Sequence, residues 1–450
     1  MRRVAQKTLL GFLAVILAGA VALTSPACSK GEPLAFVDAV FTSASAVCVT
    51  GLTVKDTGGD FTFLGQVIIL LLIQAGALGI MTLSSGLLQT MGARAPLGDR
   101  VAYADDMSDI HAPDYNRTFR FILTVTLGLE AAGAVLMAPV MVARDGWRLG
   151  LWSSLFHSVS AFCNAGFSLY EDSLCGFRAN VWINLVICAL ILCGGIGFVV
   201  LWDVGQWLRR RRLGRGQRWR LSLHSRMVLL TSALLVVAGA VVILLLEWRV
   251  SLAECSWGEM ALASLFQSIT ARTAGFNTTP IYAMSNATLL VLILLMFVGA
   301  SPFSTGGGVK TTTLATLAVV AFSRLRGHEE ANCMGRRLTE RSISRAVTAV
   351  LFAGAALSLF LVALLVSEHG GMSHGASRGR FLEILFEAVS AFGTVGLSVG
   401  VTPSLSVAGK IVVSLLMYIG RVGPLALMAS LSLRERRDAV RFPSEDVMIG

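Results

Sequence analysis

An all-α polytopic membrane protein built from four tandem pore repeats is the fold class this sequence predicts. Three observations predict it. Hydrophobic residues make up 55% of the 450-residue chain and charged residues only 14%, whereas about a quarter of a soluble domain is charged. Apolar runs of about 20 residues recur, the length that crosses a ~30 Å hydrocarbon layer. A short stretch, SAFGTVGLS at Ser390–Ser398, returns in altered form three more times. Each copy is expected to supply an outer helix, a pore helix, a filter loop and an inner helix around a central pore. That makes eight membrane-spanning helices plus four half-helices.

The spans come first. Strong apolar segments lie near residues 8–25, 62–90, 119–143, 180–208, 227–247, 287–322, 346–367 and 407–432. Basic residues collect after every second one. Arg209, Arg210, Arg211 and Arg212 follow the fourth, Arg324 and Arg326 the sixth, and Arg434, Arg436 and Arg437 the eighth, while Arg2, Arg3 and Lys7 precede the first. The positive-inside bias then predicts cytoplasmic loops there and both termini in the cytoplasm. The formal charge of +10 is accounted for by this topology, so no nucleic-acid partner is inferred. The loop after the second segment is the weaker case, because Asp99, Asp105, Asp106, Asp109 and Asp114 outnumber its arginines. The opening MRR, an apolar run and SPAC resemble a secretory signal. Ser-Pro-Ala ahead of Cys28 is a poor cleavage context, and the first repeat needs this helix. The resulting boundaries are 1–92, 118–210, 226–323 and 346–433 for the four repeats. Cytoplasmic segments at 93–117, 211–225, 324–345 and 434–450 separate and end them.

The internal repeat carries the functional reading. Ser45–Thr53 reads SAVCVTGLT, Ser160–Ser168 reads SAFCNAGFS, and Thr270–Asn277 reads TARTAGFN, one residue shorter. Their glycines, Gly51, Gly166, Gly275 and Gly396, are 115, 109 and 121 residues apart. An amphipathic run of about ten residues precedes each, roughly 15 Å of helix, which dips into a bilayer without crossing it. Irregular backbone at that depth is tolerated where it is buried in protein or lines a cavity. Glycine admits φ > 0, so neighbouring carbonyls can face one axis and replace an ion's hydration shell. Each half-helix also points its partially negative C-terminus inward, which favours a cation. The plain alternative is that the glycines are packing residues between helices; their four matched contexts favour the pore. No Asp or Glu lies in the four turns, which disfavours a carboxylate ring. Asp38, Glu383 and Glu387 fall on the half-helices, as structural hydrogen bonders or as sources of negative potential.

The inner helices share a second glycine, at Gly76, Gly194, Gly299 and Gly420, 25, 28, 24 and 24 residues after the filter glycines. This spacing predicts a flexible small-residue level below the filter. The fourth copy adds Arg421 there. A membrane arginine reads as functional by default, with an interhelical salt bridge as the alternative. In the third copy the inner helix is interrupted by GASPFSTGGGVKTTT, Gly299–Thr313. The apolar run before it gives only about 18 Å of helix, so the helix must break in mid-membrane. The sequence GGGVKT fails as a phosphate-binding P-loop, because Val309 stands before Lys310 where glycine is required. A gate containing Gly299, Ser304, Thr305, Gly306, Gly307, Gly308 and Lys310, with Arg421 opposite, is the preferred reading; a rigid plug is the alternative.

These features together resemble the Trk/Ktr/HKT superfamily of potassium transporters, most closely its KtrB membrane subunits, over essentially the whole chain. VCVTGLTV, QSITARTAGFNT, STGGGVKTTT, YIGRVGP and the terminal RFPSEDVMIG carry the resemblance. It implies a potassium filter formed by Val49-Thr50-Gly51, Asn164-Ala165-Gly166, Thr273-Ala274-Gly275 and Thr394-Val395-Gly396. It also implies a homodimer with one pore per protomer, resting on a cytosolic ring of nucleotide-binding KtrA-type subunits. Potassium is then the substrate and sodium a possible coupling or activating ion, with no cofactor in this chain. Lys55 near the filter mouth and the arginine-rich 209–220 loop depart from the family's pattern.

Other classes fit less well. An organic-substrate carrier more often shows inverted repeats, and these run in one orientation. No helix carries arginine at every third position, as a voltage sensor needs. No HExxH or GxSxG supports an enzyme, and eight scattered cysteines without CxxC spacing imply neither zinc nor a disulfide framework. An accessory subunit of a sodium-translocating ATPase is the remaining alternative, unsupported by any ATP-binding motif.

Overall fold

The computed structural model describes residues 2–93, 115–212, 221–373, 375–377 and 379–423. Copy one comprises outer helix α1 (Arg2–Leu23), pore helix α2 (Phe36–Val47) and inner helix α3 (Phe63–Ala93). Copy two has α4 (Tyr115–Asp145), α5 (Trp147–Cys163) and an inner helix in two pieces, α6 (Val181–Ile196) and α7 (Phe198–Arg212). Copy three has α8 (Leu223–Glu247), α9 (Trp257–Thr270), then α10 (Asn286–Phe297) and α11 (Thr311–Leu325) on either side of the glycine-rich loop. A small hairpin of β1 (Asn332–Cys333) and β2 (Arg336–Arg337) precedes copy four. That copy contains α12 (Glu340–His369), α13 (Arg380–Gly393) and α14 (Val407–Val422). The outer helices at Thr118–Asp145, Leu223–Glu247 and Glu340–His369 are each long and apolar enough to cross a membrane. The basic segment 213–220, the last part of the eighth apolar segment and the basic C-terminal tail lie outside the described residues.

Local sequence sets where these helices begin. Ser222, Ser256, Ser285, Thr339 and Ser406 each accept the backbone N–H three residues on. Each such cap contributes about 1 kcal/mol. Ser256 and Glu259 complete a reciprocal capping box at the start of α9.

The pore helices lie at the centre of the molecule. Phe41, Phe156, Phe266 and Phe386, one per copy and each four residues before the filter motif's first Ser or Thr, are fully buried. Outer helices approach them through small residues, the usual device where no water drives helices together. The hydroxyls of Ser43, Ser158 and Ser268 donate to the carbonyls of Ile16, Glu130 and Val236 at 2.7, 2.6 and 2.8 Å. Gly19, Gly133 and Gly239 leave room for these hydroxyls. Copy four has Ala388 in place of the serine. The first segment is therefore the outer helix that the repeat requires.

Two expectations change. The fourth apolar segment is not one straight helix: α6 and α7 meet at Gly197 with a bend of 105°. The glycine-rich loop packs against the bend. Phe198 N–H donates to Phe303 O at 3.1 Å, and a side chain at Gly197 would collide with Pro302 O. The inner-helix glycines are also packed tightly rather than open, with carbonyls of Gly76, Gly194 and Gly420 beside Arg421 or the glycine-rich loop. A Cβ at Gly76, Gly194 or Gly420 would run into the carbonyl of Val47, Phe162 or Phe392 near the C-terminal end of the same copy's pore helix. They are close-approach positions that bring inner helix onto pore helix.

Candidate functional site

Each pore helix ends in a three-residue segment with an alternating backbone. The first and third residues of all four have positive φ. These are Val49 (55°) and Gly51 (97°), Asn164 (61°) and Gly166 (70°), Thr273 (73°) and Gly275 (82°), Thr394 (50°) and Gly396 (92°). The middle residues, Thr50, Ala165, Ala274 and Val395, do not. Non-glycine residues enter this region rarely and at a cost of roughly 1–3 kcal/mol, so four matched instances mark an imposed geometry. Alternating the sign of φ turns successive peptide planes so that their carbonyls share a side.

The four segments close on one another. A Cβ built on Gly51 would lie 2.5 Å from Ala165 O, and one on Gly166 2.8 Å from Ala274 O. Gly275 stands closer still to Val395 O, and Gly396 to Thr50 O. Each glycine thus abuts the middle carbonyl of the next copy, in the order one, two, three, four and back to one. Glycine is required twice over, for its φ and for the absence of a side chain at the seam.

The motif's leading Ser or Thr clamps each segment. Backbone carbonyls of Ser45, Ser160 and Ser390 accept the N–H of Thr50, Ala165 and Val395 at 2.7–2.8 Å. In the shorter third copy Thr270 O accepts Ala274 N–H at 2.9 Å. The hydroxyls add a second tie. Ser45 and Ser390 accept from the N–H of Gly51 and Gly396 at 3.0 and 3.1 Å, whereas Ser160 and Thr270 donate to the carbonyls of Phe167 and Phe276 at 2.8 and 2.6 Å. Sequence reasoning quoted these four residues and gave them no role. Their fixed place at the head of each motif was the available signal.

Below this ring the loop from Gly299 to Lys310 contacts copies two and four and the rest of its own copy, and reaches copy one through Arg421. Ser301 and Thr305 N–H groups donate to Gly195 O and Gly194 O at 3.0 and 3.2 Å, using carbonyls left over where α6 ends. Gly307 N–H donates to Thr394 Oγ1 at 3.0 Å, and Gly306 lies against the Thr273 hydroxyl. Within the loop, Lys310 Nζ donates to Gly306 O at 2.7 Å and Ser304 Oγ to Ser301 O at 2.6 Å. Gly299 packs on Gly307 O, and Gly308 takes φ 68°. Arg421, 3% exposed, donates to Thr305 O and, at 3.0 Å, to Gly76 O. Among the described residues no ion pair includes Arg421. It binds carbonyls rather than a carboxylate, so the salt-bridge alternative is not what the structure contains.

The acidic residues on the half-helices divide. Asp38 pairs with Lys410 of α14 at 2.6 Å, tying copy one to copy four. Glu387 is buried and accepts from Ser398 and, at 3.1 Å, from Thr402, bracing the chain just beyond the filter. Lys55 is exposed. All eight cysteines are free.

Residues 5–437 match the family described as TrkH, cation transport protein. Ktr system potassium uptake protein B of Bacillus subtilis is 36% identical over 448 residues, spanning 98% of this chain and 95% of that protein. Potassium/sodium uptake protein NtpJ of Enterococcus hirae is 35% identical over 445 residues, spanning 98% and 96%. The crystal structure of the potassium transporter TrkH from Vibrio parahaemolyticus shares the fold, with TM-score 0.76 at 19% identity over 96% of this chain and 85% of that one.

Proposed function

The chain belongs to the TrkH family of cation transport proteins, and on that premise we propose that it takes up potassium across the cell membrane. The ion passes through a ring of carbonyls from Val49-Thr50-Gly51, Asn164-Ala165-Gly166, Thr273-Ala274-Gly275 and Thr394-Val395-Gly396. The observation that carries this reading is the closed ring, in which four glycines each abut the next copy's middle carbonyl and every first and third residue has positive φ. Carbonyls held this way replace hydration water, while four pore-helix C-termini favour positive charge.

The loop Gly299–Lys310 is the gate, and Arg421 holds it closed. The contacts to Thr305 and Gly76 support this role, because they tie the loop's turn to copies one and four at once. The guanidinium stays charged at any physiological pH and opposes a cation leaving the filter.

The protein works as a homodimer with both termini in the cytoplasm and is controlled by a cytosolic nucleotide-binding ring of the KtrA type. Relatives named as protein B of a Ktr system support an assembly with other components. Sodium acts as a coupling or activating ion, in line with the relative named for potassium and sodium uptake. Accessory service to a sodium-translocating ATPase gains no support, since these relatives are named as uptake proteins. Rubidium uptake in a host lacking its own potassium uptake, with and without external sodium, tests the reading. Rubidium entry that potassium suppresses is expected; entry of sodium with no competition by potassium would overturn it.

A further inference from the structure

The four-fold repeat provides an internal control for every position. Three residues before the outer-helix glycines Gly19, Gly133 and Gly239 stand Ile16, Glu130 and Val236. Two residues before the inner-helix glycines Gly76, Gly194, Gly299 and Gly420 stand Gln74, Leu192, Phe297 and Tyr418. Glu130 is the one carboxylate at the first position and Gln74 the one amide at the second, where Tyr418 of copy four instead donates its hydroxyl to Leu9 O at 2.8 Å. Those two exceptions meet. Gln74 Nε2 of α3 donates to Glu130 Oε2 of α4 at 3.2 Å. The other oxygen, Oε1, accepts from Cys163 Sγ at 3.5 Å, and that thiol is also 3.5 Å from Gln74 Oε1. Glu130 is 3% exposed and Cys163 fully buried. Cys163 is the last residue of α5, and Asn164, the first filter residue of copy two, follows it with φ 61°.

A carboxylate inside a membrane protein is costly and usually functional. Among the described residues no ion pair includes this one; it receives an amide from copy one and a thiol from the hinge where helix turns into filter. Packing alone does not call for a carboxylate, since copies one and three carry Ile16 and Val236 at the matching position. We propose that Glu130 and Gln74 form a brace that sets the geometry of the second filter segment, and thereby the discrimination of potassium from sodium. Glu130 is a positioning residue acting through Cys163, and the brace also locks copy one to copy two one layer behind the ring. A filter that must hold its carbonyls at potassium's distance and deny sodium a closer fit depends on such a layer, because a small shift in one strand changes the cavity.

The inference rests on the potassium-uptake reading, and one experiment separates the two. The double variant Gln74→Leu/Glu130→Val places in copy two's surroundings the residues that copies two and three already carry at the matching positions, so it retains an apolar fill. Purified protein is reconstituted in proteoliposomes, and the sodium and potassium concentrations that halve rubidium uptake are compared. Wild-type protein without potassium preference would refute the reading of function. Given that preference, the double variant is expected to be recovered at normal yield with its sodium-to-potassium ratio lowered about fivefold or more, the equivalent of one buried hydrogen bond. Glu130→Gln, which keeps an acceptor for Gln74, is expected to stay within about twofold of wild type. An unchanged ratio in a normally recovered double variant overturns the brace. If the double variant does not insert, Gln74→Met carries the same test: the same fall supports the brace and an unchanged ratio overturns it.

Discussion

At Ser390 a single hydroxyl accepts the N–H of Gly396 at 3.1 Å, and both groups are buried. Ser390→Ala leaves that N–H without a partner, at a cost of about 1–3 kcal/mol. The half-saturating potassium concentration is expected to rise about fivefold at normal protein yield, read from rubidium uptake curves; an unchanged curve would remove the clamp from the account. Arg421 makes the opposite kind of contribution. Its donations to Thr305 O and Gly76 O stabilise the closed loop, so Arg421→Gln should raise flux by about two- to tenfold. Normal yield with normal or lower flux would exclude Arg421 as a barrier. The four filter glycines were marked in the sequence because each recurs at nearly fixed spacing behind a Ser or Thr; the full triplets came from the resemblance to the Trk/Ktr/HKT superfamily. The partners of Arg421 were only half legible. Copy register placed it near the glycine-rich loop, but nothing in the sequence distinguishes a carbonyl partner from a carboxylate. Gly76 O is 345 residues away.

The elements differ in how openly they announce themselves. The break in copy three was legible, because Ser, Thr, Pro and three consecutive glycines interrupt an apolar run at Gly299–Lys310. The break in copy two was hidden. CGGIGFVVLWD stays apolar through Gly197, and at the 105° bend Gly197 and Phe198 lie against Pro302 and Phe303 of the neighbouring copy's loop. The two breaks meet: carbonyls freed at the end of α6 hold the loop that breaks copy three. Deleting Gly306–Gly308 removes the bonds to Thr394 Oγ1 and Lys310 Nζ and the packing on Gly299. Basal flux is expected to rise and control by a cytosolic partner to weaken. A folded deletion variant that conducts no faster identifies the loop as a static plug.

For the whole molecule, the decisive property is closure. Four segments spread over 345 residues, from Gly51 to Gly396, contribute one glycine and one middle carbonyl each, and the last glycine returns to the first copy's carbonyl. A ring of this kind has no spare member, although the copies have diverged at nearly every other position. The measurement that tests this most directly is potassium-over-sodium competition against rubidium uptake, in proteoliposomes, for Gly51→Ser, Gly166→Ser, Gly275→Ser and Gly396→Ser. Each adds a side chain at positive φ facing a neighbour's carbonyl, a strain of roughly 1–3 kcal/mol. The account predicts that every correctly inserted variant loses potassium preference, by about tenfold. A normally inserted variant with wild-type discrimination at any of the four positions would contradict it.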